Sequence, residues 1–272
     1  MKVKLLLLSV ALLMATQAFA QTPSRQAYQS SEVPVWLASG MGLNVVHSFD
    51  HGASPLTYFG AGANLHFGVA VAFDESYLSF NLRGLGNIVL SETLSQAFDF
   101  GVELGAEYLY RFFDTGHWHF WVGGAMKDYI SFNYSPQLMN AALGYSTFFT
   151  WNAEGMAQYD FAKDSERSHH WCTAYAKLSL PVFGAVGRPG FAYIDNYTET
   201  LINTATETVT RDSFMMLVPG VGTDIGLYLN LLNNNKIGVS YRWDYLTTRH
   251  QGIYRFDHAN HCINITYMFN VN

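Results

Sequence analysis

Between Asp99 and Arg111 the side chains alternate, with Leu109 the one apolar residue in the polar phase. Phe100, Val102, Leu104, Ala106, Tyr108 and Tyr110 fall on one face, and Asp99, Gly101, Glu103, Gly105, Glu107 and Arg111 on the other. A period of two belongs to an extended strand, because successive Cβ atoms point to opposite sides of a pleated backbone. The same pattern recurs along the chain and marks ten strands, at about residues 35–48, 56–73, 76–90, 97–112, 117–132, 142–161, 170–186, 211–231, 236–249 and 258–271. Compact polar turns, Asp74-Glu75, Asp114-Thr115-Gly116 and Asn233-Asn234-Asn235, follow the second, fourth and eighth of these. Short connections join antiparallel neighbours, so the expected fold is all-β and up-and-down. A split of the eighth strand near Pro219, or a strand pair within residues 188–210, makes twelve the alternative count.

Alternation alone does not say which face is inside, since a soluble sandwich also alternates, with its apolar face inward. Two features decide. The polar phase is crowded with glycine, including Gly60, Gly62, Gly68, Gly101, Gly105, Gly220, Gly222 and Gly226. Glycine weakens a solvent-facing strand but suits a narrow lumen or a strand that must coil. Aromatic residues gather near strand ends: Tyr108, Tyr110, Trp118 and Phe120 flank a short turn, Tyr267 and Phe269 lie at the same level, and Trp243 and Tyr245 sit toward the opposite rim. Rings so placed match the two interfacial girdles of a membrane. The polar phase is therefore read as the interior, with Trp151, in mid-strand, outside the girdle pattern.

At the N-terminus, Lys2 and Lys4, the apolar run Leu5 to Ala15 and the small-residue site Ala18-Phe19-Ala20 follow the order of a secretory leader cut before Gln21. Removing 20 of 272 residues leaves 252, and losing Lys2 and Lys4 takes the formal charge from −6 to −8. An acidic chain without a basic tract lacks the electrostatic footprint of a nucleic-acid binder. Its two cysteines, Cys172 after an outward phase and Cys262 in an inward one, are read as small buried side chains that do not bond to one another.

The last segment sets Ile263, Ile265, Tyr267, Phe269 and Val271 against Asn264, Thr266 and Asn270. Here the chain resembles the outer-membrane β-barrel family of Gram-negative bacteria, whose final strand alternates and finishes with an aromatic residue that the assembly machinery recognises. This chain departs from the pattern by ending in Asn272, with Phe269 three positions earlier. The resemblance implies a closed antiparallel transmembrane β-barrel over residues 35–272, preceded by a periplasmic segment, 21–34, behind the leader. It implies outer-membrane lipid and the barrel assembly machinery as partners, a single-chain monomer, short turns in the periplasm and long loops outside.

In hydrocarbon an open sheet edge leaves backbone groups without partners at several kcal/mol each, so the first strand must pair with the last. Ten strands enclose a narrow space, near the limit of about eight at which side chains fill the interior. Arg83, Glu103, Glu107, Arg111, Lys127, Glu154, Lys177, Asp224, Arg242 and Asp244 point into it, acids and bases in equal number. Balanced charges so confined should pair, which favours a mostly plugged barrel over a narrow pore for small solutes. Asp128 breaks the pattern, and a bulge near Gly123-Gly124 or a strand end at the interface is expected to account for it.

Beyond the lumen, two groups of residues stand out. His47, Asp50 and His51 in the first loop approach Asp257, His258 and His261 of the last once the barrel closes, a set that suits a metal or an acid–base pair. It is the candidate site of a rim-located hydrolase or lipid-modifying enzyme, although no Gly-x-Ser-x-Gly, His-Glu-x-x-His or phosphate-cradling loop accompanies it. No resident metal or cofactor is expected. The longest connection, residues 187–210, carries Phe191, Tyr193 and Tyr197, which serve either as aromatic anchors for an extracellular ligand or as a lid over the mouth. A structural or surface-binding role through such loops is the first functional expectation, passage of small solutes the second and rim catalysis the third.

Overall fold

A computed structural model describes residues 33–52, 54–141, 143–161, 171–188, 213–231, 234–248 and 255–271. The strands are β1 Val35–Asp50, β2 Thr57–Ala72, β3 Ser76–Ser91, β4 Gln96–Asp114, β5 Trp118–Tyr134, β6 Leu143–Asp160, β7 Cys172–Gly187, β8 Ser213–Met216, β9 Gly220–Asn230, β10 Lys236–Thr247 and β11 Phe256–Asn270. Each pairs antiparallel with its neighbour, and β1 closes on β11 in unbroken register from Trp36↔Asn270 to Asp50↔Phe256. β7 pairs with β9 at its start and with β8 at its end, so these two occupy one stave and the closed barrel has ten. The split at Pro219 therefore leaves the ring at ten. Gly116, at φ +82°, makes the tight turn between β4 and β5.

The burial pattern is that of a soluble protein turned inside out. Leu43 is 73 % exposed, Met41 63 % and Ile263 60 %, whereas Arg83, Asn64, Asp99 and Glu154 are all at or below 6 %. Large apolar side chains so uniformly exposed have no place in water but are at no cost in hydrocarbon. Trp151 belongs to this outer surface, stacked on Phe183 with ring centroids 6.0 Å apart.

Asp128 corrects one expectation. β5 keeps continuous register with β6 along its length, and the irregularity on its other side lies in β4, between Arg111 and Phe113, rather than near Gly123-Gly124. Asp128 stays in the outward phase between Leu104 and Phe149, and Thr147 Oγ1 donates to its carboxylate at 3.1 Å. A local hydrogen bond, instead of a bulge, accommodates it.

The wall is weakest along β7. Its ladder to β9 ends at Ser179↔Gly222 and resumes to β8 only at Gly184↔Met216, while its register with β6 shifts between Trp151 and Asn152. Pro181 and Pro219 lie in this gap, and neither can donate a ladder hydrogen bond.

Candidate functional site

Strand alternation aims the charged phase into the lumen, and the closed ring decides which charges meet. Arg83 on β3 donates to Glu103 at 2.9 Å and to Asp244 at 3.1 Å. Arg242 on β10 reaches both Glu103 oxygens, at 2.8 and 2.9 Å, and its Nε donates to Asp244 at 2.6 Å. β4 and β10 stand five staves apart in a ring of ten, so the Glu103–Arg242 pair crosses the full width of the lumen. Below it Lys177 pairs with Glu107 at 2.7 Å, and beside it Lys127 pairs with Glu154 at 3.0 Å. Asp224 accepts from Tyr175 at 3.0 Å. Arg111 lies apart at the short-turn mouth, paired with Asp114 at 3.3 Å and stacked over Trp121.

Toward the long-loop end two further layers cross the barrel. Tyr129 on β5 and His258 on β11, again on opposite staves, approach to 5.6 Å between ring centroids. Above them Phe148 meets Phe256 at 4.9 Å, with Val186 buried alongside. Arg188, at the end of β7, is 1 % exposed, pairs with Asp50 of β1 and lies over the Phe256 ring. Of these rings only His258 was among the residues singled out from sequence; Tyr129, Phe148 and Phe256 were not. Phe148 and Phe256 interrupt otherwise polar inward phases, which was the signal available.

A second polar chain runs along the inner wall. Asn64 donates to Asn44 at 2.7 Å and to Asn264 at 3.1 Å, Asn44 donates to Asn87 at 3.2 Å, and Asn87 to Asp99 at 2.9 Å. These buried amides are satisfied by one another, which holds β11, β1, β2, β3 and β4 in fixed relative positions.

The six rim residues do not converge. His258 and Asp50 face inward, to Tyr129 and Arg188 respectively. His47 and His261 are exposed on the outside, where His261 Nδ1 and the Tyr241 hydroxyl lie 2.6 Å apart. Asp257 is bound by Thr247 and Arg255, and His51 stacks on Phe49. Neighbouring strand positions put alternate residues on opposite sides of the wall, so proximity in the loops does not gather them. Among the described residues no group of three or more His, Cys, Asp or Glu is placed to hold a metal. Both cysteines are free and buried. Phe191, Tyr193 and Tyr197 lie outside the described residues.

No protein-family model and no curated protein matches the chain. Among solved structures it is similar to the translocator domain of autotransporter NalP from Neisseria meningitidis, at 8 % identity and TM-score 0.41, covering 96 % of this chain and 98 % of that one. It is also similar to Neisserial surface protein A, at 8 % identity and TM-score 0.33 over 86 % and 97 % of the two chains. An outer membrane channel from Pseudomonas putida F1 aligns at 8 % identity and TM-score 0.38 over 92 % of this chain and 100 % of that one. The architecture itself is a closed antiparallel β-barrel of ten staves with an apolar outer surface.

Proposed function

We propose that this protein is an outer-membrane barrel whose lumen does not conduct in its resting state, and that it serves a structural or surface-binding role through its long loops. The observation that carries this reading is the Glu103–Arg242 ion pair between opposite staves, backed by the Tyr129–His258 and Phe148–Phe256 contacts. A charge pair enclosed in a lumen is hard to part, because removing one partner leaves the other uncompensated at about 3–5 kcal/mol. Passage of small solutes is the second reading, supported by the cavities of about 400 and 80 Å³ on either side of the ion-pair layer.

Planar-bilayer recording separates the two. The wild type is expected to be silent, and a variant combining Glu103→Ala, Arg242→Ala, Phe148→Ala and Phe256→Ala is expected to give resolved single-channel steps. Discrete conductance in the wild type supports the pore and overturns the closed barrel. The surface role predicts that deleting residues 190–208 abolishes binding of the purified barrel to host or bacterial surfaces while its heat-modifiable migration is kept. Equal binding by the deleted form removes the loop from the account.

A further inference from the structure

The lumen widens at the short-turn end into a vestibule of about 400 Å³, within the range of small-molecule sites. Its two walls differ. On one side Trp36, Ala38, Ala70 and Met268 form a smooth apolar surface. On the other, Glu107, Lys177, Gln158 and Thr173 present a polar one. A space divided in this way between greasy and polar halves complements a molecule divided in the same way.

One cation at the edge of the apolar wall stands out. Lys236 Nζ lies 4.2 Å from the centroid of the Trp36 ring, which is itself held by its Nε1–H donating to the Asn234 carbonyl at 3.1 Å. The other vestibule cations, Arg83, Arg111, Lys177 and Arg242, each have a carboxylate within 3.3 Å. Among the described residues Lys236 forms no ion pair. An ammonium resting on an indole face keeps N–H donors for a further acceptor, and an anion there gains from both the charge and the low-dielectric wall.

We propose that the vestibule binds a small amphipathic carboxylate, its apolar body against Ala38, Ala70 and Met268 and its anionic end on Lys236. The site is independent of whether the layers above it ever part, since a ligand reaches it from the short-turn mouth without crossing the ion-pair layer.

Fluorine NMR of the full barrel in lipid nanodiscs tests this, with para-trifluoromethylbenzoate as probe, its neutral benzamide as comparator and empty nanodiscs as blank. Saturable binding of the benzoate is expected, at least tenfold tighter than the benzamide. Lys236→Met, which keeps the apolar stem, is expected to weaken the benzoate about tenfold and leave the benzamide unchanged. Ala70→Phe, which fills the vestibule, is expected to remove both, with Ala38→Leu as a second blocking variant if the first fails to give heat-modifiable migration. Absence of saturable binding, equal affinity for the two probes, or an unchanged benzoate affinity in Lys236→Met overturns the proposal.

Discussion

Single residues in this barrel are constrained more by how closely strands approach than by polarity. A Cβ added at Gly62 meets the Gly86 carbonyl oxygen at 1.9 Å and Asn87 Oδ1 at 2.5 Å, so β2 can lie against β3 there only without a side chain. At Gly105 the same addition meets nothing within 4 Å. Gly62→Ala is therefore expected to lower stability by about 1–3 kcal/mol, the usual cost of overpacking, while Gly105→Ala changes it by less than about 1 kcal/mol. Urea unfolding from lipid vesicles measures both, and equal effects remove the close-approach account. The crowding of glycine on the polar phase was legible from sequence, but which of them touch backbone was not. That depends on how strongly each strand coils against its neighbour.

Among the elements, β7 is the exception to an otherwise continuous set of ladders. Leu180–Phe183 and Leu217–Pro219 fall between the β9 and β8 pairings, and the Val182 position is skipped in the register with β6. Backbone amides without ladder partners open without breaking a hydrogen bond. Amide hydrogen exchange in micelles is expected to be fastest, within the spanning strands, at Val182 and Val218, and slowest along the β1–β11 seam. Uniform protection across β7 contradicts the gap. Sequence showed Pro219 as a point of division but not Pro181 on the facing strand, because two prolines 38 positions apart in the chain are brought together only by register. Asp128 shows the converse. Its outward phase was readable, and the Thr147 hydroxyl that receives it became visible only once β5 and β6 were aligned.

For the molecule as a whole, the leader reading belongs to biogenesis and carries its own test: protein recovered from the outer-membrane fraction is expected to begin at Gln21 by N-terminal sequencing, and retention of Met1 or Lys2 contradicts cleavage. Period-two alternation determined the strands and their number around the ring, glycine crowding and aromatic placement decided which phase turns outward, and the absence of water in hydrocarbon required the first strand to meet the last. Only the tertiary structure decided what happens inside. Glu103 and Arg242 are 139 residues apart, and whether they meet depends on the stagger between ten strands. Alternation tells a side chain to point inward but leaves its height along the axis open, and height is what brings Arg83, Glu103, Arg242 and Asp244 into one layer.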